Sequence, residues 1–411
     1  MPTFHVNMRV FLLLLLCWFS NNPSTAQRLQ RSSTARKAVV DRTPEAICST
    51  SRKDLKFYIS KACEEVASTF KTTPLLDTAG RCGTRKLWEA LRNSTHITSV
   101  PSAAHFIYCP SHLAHLALEH HEELARFDPT GHRVVYGVNT ADLGWSDFRL
   151  VGLRMAPTPT FWKQMANSTL LSFFAIAQHD SGVCNKNGTV CKGDFRVGQD
   201  ISMHAINSCP EDALLAKITP WRTGTWLPKR NLTFYFSGRS KMSQTRCRRE
   251  NNLADGSTEC AAVSSRGQIA KVKLDGFVVA GMPSSYEEDV NFIKRSVFCF
   301  APVGVNGGYG FRYVRAIMNG CIPVIMNDGR PLPYDDVLDY RSFAVVIRKG
   351  GTVHEMVRQL EKMQKEPAKI AKLQDGLSKV WKFFSWHLSA LDAFTASLHR
   401  NFCRRHGLLP G

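Results

Sequence analysis

The stretch FCFAPVGVNGGYGFRYVRAIMNGCIPVIMND, residues 298–328, decides the fold. It begins with an apolar run, passes through a glycine-rich loop and a short basic segment, and ends in a second apolar run. Apolar strands that are joined through a helix are typical of a parallel sheet covered on both faces. Gly320 stands where a helix C-cap is expected. The stretch therefore predicts a strand, a helix starting near Phe311 and a second strand.

The same alternation extends over most of the 411-residue chain in two blocks. Residues 47–218 and 231–350 each alternate strand-like and helical segments, which predicts two doubly wound α/β domains. Between them, residues 219–230 contain two prolines and two tryptophans, which favours a linker. Residues 351–411 begin with apolar residues at helical spacing and predict a helical C-terminal tail.

The first 26 residues have the order of a secretory signal, with Arg9 followed by an apolar run from Val10 to Phe19. A membrane-spanning helix needs about 20 apolar residues, so a cleaved signal peptide is favoured and a short Golgi-type signal anchor is the alternative. Residues 27–46 are polar and basic, as expected of a stem or linker. The remaining chain is therefore expected in a secretory lumen.

Glycosylation sequons agree with that compartment, because each lies in a polar stretch where a glycan would stay in water. They are Asn93, Asn167, Asn187 and Asn231.

Twelve of the 13 cysteines follow residue 26, and an oxidising lumen would let several of them pair. The short separations make Cys184 to Cys191 and Cys247 to Cys260 candidate bridges. For Cys299 and Cys321, a bridge and two buried free thiols fit the sequence equally well.

The formal charge is +19, from 53 Lys and Arg against 34 Asp and Glu. Such a surface favours an anionic partner such as a nucleoside diphosphate, an acidic polysaccharide or nucleic acid, although a generally basic surface fits equally well. The luminal compartment and the lack of a zinc-finger or RNA-binding motif argue against nucleic acid.

The glycine-rich loop combines Gly304, Gly307, Gly308 and Gly310 with Arg312 in the first turn of the predicted helix. Backbone N–H groups, a helix N-terminus and an arginine suit a diphosphate. The spacing matches neither of the two common phosphate-loop motifs. Taken alone, the loop fits a diphosphate cradle and a plain surface turn equally well.

Several segments together resemble the exostosin domain, glycosyltransferase family 47. They are SVFCFAP, the loop with Arg312, GCIPVI and PLPYDDVLDYRSFAVVI. Weaker resemblance extends upstream through RNLTFYFSGRS, AIAQHDSGVC and TSVPSAAHFIYCP. The resemblance covers about Thr95 to His399 and is strongest in the last third.

The resemblance implies a GT-B fold with two facing Rossmann-like domains, the first for the acceptor and the second for the donor. It implies a hexosyl- or pentosyltransferase that uses a nucleotide sugar, expected to be a UDP-sugar, and transfers it with inversion to a glycan or polysaccharide. The expected location is the Golgi lumen, with single-pass type II topology if the N-terminal signal is not cleaved, and with a second glycosyltransferase as a conceivable partner subunit. No cofactor is expected.

No metal site is predicted. The chain contains no Asp-x-Asp pair, the metal-chelating motif of the other common glycosyltransferase architecture. A helical cluster at His112, His115, Glu119 and His120 fits a solvated polar face better than a zinc site.

Donor-binding roles follow from the resemblance. Gly238 and Arg239 would line the diphosphate from one side, although a tight turn also explains them. The N–H groups around Gly308 and Gly310 would face the leaving diphosphate together with Arg312. Asp328 would bond a sugar or ribose hydroxyl, and a turn-forming Asp before Gly329 is the alternative.

An inverting transfer also needs a general base, and His179 with Asp180 is the candidate pair at the end of an apolar strand. A structural His-Asp pair is the alternative.

Arg315 departs from the resemblance, because many members of the family have an acidic residue at this position. Arginine accepts no hydrogen bond, so Arg315 cannot replace that acid at a ribose hydroxyl. Two alternatives follow: the donor is held differently, with Arg315 as a second phosphate ligand, or the chain is a catalytically silent luminal subunit or glycan-binding protein.

Overall fold

The first apolar run of residues 298–328 forms the central strand of a five-stranded parallel sheet. The chain divides into two compact units, residues 1–39 and 40–411. The computed structural model describes part of the second unit: residues 43–59, 82–110, 133–139, 173–177, 201–204, 209–223, 230–238, 265–281, 285–302, 312–326, 332–348 and 350–409.

In the described ranges, ten strands form two sheets, and every pairing between these strands is parallel. The first sheet contains β1 (Phe57–Tyr58), β2 (Phe106–Pro110), β3 (Val134–Asn139), β4 (Phe173–Ala177) and β5 (Ile201–Met203). The second contains β6 (Leu232–Ser237), β7 (Phe277–Ala280), β8 (Ser296–Pro302), β9 (Ile322–Met326) and β10 (Val345–Val346).

The two sheets differ in strand order. The second has the order β10-β9-β8-β6-β7, so the direction of winding reverses between β6 and β8. This is the order of a doubly wound sheet. The described strands of the first sheet lie in sequence order from β1 to β5, without a reversal. The doubly wound order expected for the first block was therefore wrong for these strands, because each connection adds the next strand at the same edge.

Ten α-helices lie in the described ranges. They are α1 (Pro44–Ser49), α2 (Cys82–Arg92), α3 (Cys209–Ile218), α4 (Pro220–Thr223), α5 (Ser265–Ile269), α6 (Tyr286–Arg295), α7 (Arg312–Met318), α8 (Val353–Gln364), α9 (Pro367–Val380) and α10 (Ala390–Arg405). Helix α8 begins with a capping box between Thr352 and Glu355. Helix α7 is followed by Gly320 with φ of 71°, which confirms the predicted glycine at its C-terminal end.

The C-terminal tail is helical and packs in the hydrophobic cores of both sheets. Leu360 and Leu377, in α8 and α9, pack in the core of the second sheet. Phe402, in α10, packs in the core of the first sheet, with its ring 5.3 Å from that of Phe106. A disulfide between Cys48 and Cys403 joins α1 to α10 across 355 residues. The tail therefore returns to the first sheet.

A second disulfide joins Cys299 in β8 to Cys321 just before β9. Of the two alternatives left open by the sequence, the structure contains the bridge. The other two candidate bridges, Cys184 to Cys191 and Cys247 to Cys260, lie outside the described residues.

The predicted linker, residues 219–230, begins as ordered structure packed on α7. Thr219 Oγ1 donates to the Met318 carbonyl at 2.6 Å, and Trp221 Nε1 donates to the Ile317 carbonyl at 3.1 Å.

Among the helices in the described ranges, none combines the length and apolar character required to cross a bilayer.

Candidate functional site

The strand order of the second sheet reverses between β6 and β8, and in an open α/β sheet the carboxyl ends of the strands at such a reversal border a crevice. Ligands of open α/β sheets bind at such switch points. Ser237 and Gly238 stand at the end of β6, and α7 follows β8 along the chain. The site is therefore built from the β6 end and the first two turns of α7.

Arg312 lies directly against the end of β6. Its Nε donates to the Ser237 carbonyl at 3.0 Å, and its Cζ lies 5.7 Å from the centroid of the Phe236 ring. Gly238 has φ of 150°, and a Cβ there would lie only 2.7 Å from Arg312 Nη2. Glycine at this position therefore permits both the backbone turn and the close approach of the arginine.

Arg315 is held one turn further along α7 by two carboxylates. Its Nε lies 2.6 Å from Glu211 Oε1, and its Nη1 lies 2.9 Å from Asp289 Oδ2. Only 18% of the Arg315 side chain is exposed, and its guanidinium lies 5.2 Å from the Tyr286 ring. Burial disfavours the charged form, but the two ion pairs outweigh it and raise the pKa of Arg315. The side chain therefore remains a cation.

Asp289 connects Arg315 to the end of β6. Its Oδ1 accepts hydrogen bonds from the Tyr235 hydroxyl at 2.8 Å and from Ser237 Oγ at 2.7 Å. The residue is 3% exposed. Burial, together with the negative charge of Asp289, raises the pKa of Tyr235, so this hydroxyl remains a donor. Both carboxylate oxygens of Asp289 are thus occupied.

A cavity of about 20 Å³ lies between these side chains and has room for about one water molecule. A larger cavity of about 410 Å³ lies elsewhere, lined by residues 335–341 and by Arg400. It shares no lining residue with the smaller one. The larger of these two cavities is therefore not the one beside Arg312 and Arg315.

The first sheet ends differently. His204, which follows β5, is completely buried. Its Nδ1 lies 3.2 Å from the Tyr334 hydroxyl, and its ring stacks on Trp386 with centroids 5.4 Å apart. Burial lowers the pKa of His204 to about 3, so the ring is neutral. The Tyr334 backbone N–H donates to the Ser202 carbonyl of β5 at 3.0 Å and thereby covers this strand end.

Of the predicted site residues, the structure brings Gly238 and Arg312 into contact, with Arg315 on the same helix. The sequons at Asn93 and Asn231 are both exposed, and Asn231 Oδ1 accepts a hydrogen bond from Arg295 at 3.1 Å. The other predicted residues lie outside the described ranges: His179, Asp180, Arg239, Gly308, Gly310, Asp328, Asn167 and Asn187. The helical cluster at residues 112–120 also lies outside them. Within the described ranges, no three His, Cys, Asp or Glu side chains are grouped so that they could hold a metal ion.

Sequence reasoning missed Ser237, Asp289 and Glu211. A signal for Asp289 existed, because it shares a helix face with Ile293, four residues later, beside the buried Val290. An acidic residue on an apolar helix face indicates a buried polar partner. Glu211 offered no comparable signal, because its partner lies 104 residues away.

Comparison with known proteins places this site within a recognised domain. The family model described as the Exostosin GT47 domain matches residues 81–363, more than half of the chain. The chain belongs to the exostosin GT47 family. The matched span contains the whole second sheet, the switch point and the first sheet from β2 onward. The resemblance seen in the sequence is thereby confirmed.

Curated relatives of this exostosin GT47 chain match it over short segments. The probable glucuronosyltransferase GUT1 of Oryza sativa subsp. japonica is 38% identical over 65 residues, 16% of this chain and 15% of that protein. The probable arabinosyltransferase ARAD1 of Arabidopsis thaliana is 29% identical over 93 residues, 22% of this chain and 20% of that protein. The Exostosin-1 homolog of Caenorhabditis elegans is 34% identical over 55 residues, 13% of this chain and 14% of that protein. The matched segment is therefore at most a fifth of the length of each of these three relatives.

Proposed function

We propose that this exostosin GT47 protein is a glycosyltransferase that moves a sugar from a nucleotide sugar, a UDP-sugar, to a glycan or polysaccharide acceptor. The observation that carries the proposal is the position of Arg312, a cation held against the end of β6 at the switch point of the second sheet. A diphosphate in that crevice would meet the guanidinium. The names of the relatives as glycosyltransferases support this class of activity.

The proposed reaction is a single displacement with inversion. The acceptor oxygen forms a bond to C1 of the donor sugar while the bond from C1 to the diphosphate oxygen breaks. The electron pair of the broken bond stays on the diphosphate, and Arg312 with the N–H groups around Gly308 and Gly310 would stabilise that charge. The acceptor proton would pass to His179, oriented by Asp180. No metal or cofactor is required in this scheme.

The proposed location is the Golgi lumen. Two disulfides support an oxidising compartment, because such bonds persist in the secretory pathway and are rare in the cytosol. The exposed sequons Asn93 and Asn231 would be accessible to the glycosylation machinery. Endoglycosidase treatment of the protein from secretory cells should increase its gel mobility, and this shift should shrink when Asn93 and Asn231 are changed to Gln.

Binding and transfer test the function separately. The purified full chain is heated with UDP and GDP, and its melting temperature should rise with UDP. A rise with GDP alone would contradict the UDP-sugar donor. Transfer from the matching sugar nucleotides to an oligosaccharide panel is then measured. Arg312→Ala should lower transfer by about 10²- to 10³-fold with its fold retained, whereas Arg85→Ala, at an ion pair on α2, should not. Unchanged transfer by Arg312→Ala would overturn the assignment.

A catalytically silent subunit or glycan-binding protein is the second candidate. It is favoured by Arg315, which is a cation paired with two carboxylates at a position where many members of the family have an acidic residue. Nucleoside diphosphate binding without transfer to any acceptor would support it, and detectable transfer would exclude it.

A further inference from the structure

A continuous series of contacts connects Arg315 to Arg312. Arg315 binds Asp289, Asp289 accepts from Ser237 Oγ, and the Ser237 carbonyl accepts from Arg312 Nε. Each of these donor–acceptor distances is between 2.7 and 3.0 Å. On the other side, Arg315 binds Glu211 of α3. The orientation of Arg312 is thus linked, bond by bond, to Arg315.

Arg315 also neutralises the two carboxylates that it contacts. Glu211 is 9% exposed and Asp289 is 3% exposed, so neither carboxylate is well screened by water. Asp289 is bound to the same residue, Ser237, as Arg312. Without a cation at position 315, these carboxylates would repel an approaching diphosphate. Arg315 offsets their negative charge through its two ion pairs.

We propose that Arg315 is a positioning residue for Arg312: through Asp289 and Ser237 it fixes the Arg312 guanidinium for a diphosphate and offsets the two carboxylates. This inference rests on the proposed function, because it gives Arg315 a role in holding the same ligand. It replaces the expectation that Arg315 is itself a phosphate ligand. It also gives a reason for the missing acid, since an acidic side chain at 315 would meet Glu211 and Asp289.

The geometry requires an arginine. Nε and Nη1 of Arg315 point to two different carboxylates, and the planar guanidinium presents both donors at once. A lysine carries a single ammonium group and cannot keep both contacts in this geometry. Arg315→Lys therefore keeps the positive charge but removes the pair of guanidinium donors that contacts both carboxylates.

The test is a double-mutant cycle on binding of UDP and GDP to the full-length protein, measured by titration calorimetry. In the Arg312 background, Arg315→Lys should weaken binding of the preferred diphosphate about tenfold. In the Arg312→Ala background, the same change should weaken it less than about twofold, because the residue on which it acts is gone. A merely structural role would give equal losses in both backgrounds.

Ser237→Ala provides a second variant that removes one hydroxyl without leaving a buried charge. It breaks the link from Asp289 and should weaken diphosphate binding about threefold, again only when Arg312 is present. Arg85→Lys is the matched control, because Arg85 also forms a partly buried ion pair, with Glu89 at 2.8 Å, but outside the site. It should leave binding unchanged.

The possible failures are distinguishable. If the wild-type protein binds neither UDP nor GDP, the proposed function and the positioning role are both overturned. If the wild type binds one of them and Arg315→Lys binds it equally well, the positioning role alone is overturned. Equal losses in the two Arg312 backgrounds would have the same consequence.

Discussion

The carboxyl ends of β5 and β6 differ in the side chains that cover them. Beyond β5, His204 is neutral and enclosed by Tyr334, Phe384 and Trp386. Beyond β6, charged side chains surround Ser237. The strand order explains the contrast. A crevice opens where the order reverses, since the connections leave on opposite faces of the sheet, and β5 has no such reversal among the described strands.

The two strand ends also differ in how the cost of burying a titratable side chain is met. At β5, a titratable ring is kept neutral, so no charge has to be compensated. At β6, charges are retained and matched, with Arg315 between Glu211 and Asp289. Replacing a buried ion pair by apolar residues is often neutral or even stabilising. The paired charges at the β6 end are therefore better explained by the groups that they position than by a gain in stability. The β6 end is therefore the one to examine for ligand binding.

The largest expected effect concerns the disulfides of the two regions. Cys48–Cys403 spans 355 residues beside the first sheet, and Cys299–Cys321 spans 22 in the second. In the chain-entropy description, replacing both cysteines by Ser should cost about 6 kcal/mol for the first pair and about 3 kcal/mol for the second. Urea unfolding of the oxidised proteins measures both losses. Equal losses would show that loop length does not distinguish the two regions.

Removing the cation of the β6 region should have the next largest effect. Arg315→Met leaves two buried carboxylates without their partner and should lower the free energy of unfolding by about 3–5 kcal/mol. Arg85→Met, at the ion pair with the more exposed Glu89, should cost less than about 1 kcal/mol. Urea unfolding of both variants gives the comparison. Similar small losses would contradict the charge matching described for the β6 region.

Sequence reasoning predicted the local part of this fold and missed the long-range part. The β8–α7–β9 unit and Gly320 follow from periodicity and helix-capping rules, which act over a few residues. That Gly238 and Arg312 would face the same diphosphate was expected only through the resemblance, and their direct contact was not predicted. The order of the first sheet, the return of α10 and the partners of Arg315 depend on contacts between distant segments, which no local pattern encodes.

The third prediction tests the neutral state of His204 through pH. Its pKa in the folded protein is lowered from 6.5 to about 3, so below pH 6.5 only the unfolded state gains the proton. Stability should therefore fall as pH decreases, by up to about 1.4 kcal/mol per pH unit. In His204→Phe this contribution disappears, while the titration of neighbouring groups such as Asp212 remains. Unfolding free energies of both proteins between pH 7 and 4.5 give the difference, and parallel curves would show that His204 takes up a proton in the folded state.

The smallest expected effect on stability concerns the glycine at the end of β6. Gly238→Ala places a side chain at a φ of 150°, which should lower the free energy of unfolding by about 1–2 kcal/mol. Gly281, at the end of the neighbouring β7, is the matched control. Among the described residues, no heavy atom lies within 4 Å of the position that a Cβ at 281 would take, so Gly281→Ala should be close to neutral. Thermal unfolding of the two variants measures the difference.

Binding gives the same pair of variants a second use. The alanine Cβ at 238 would lie 2.7 Å from Arg312 Nη2, so the guanidinium must move away from the β6 end. If Arg312 holds a diphosphate there, Gly238→Ala should weaken binding of UDP or GDP by about tenfold, and Gly281→Ala should not. A Gly238→Ala protein that is destabilised but binds as tightly as the wild type would separate the strained turn from the ligand site, and the β6 end would then resemble the closed end of β5.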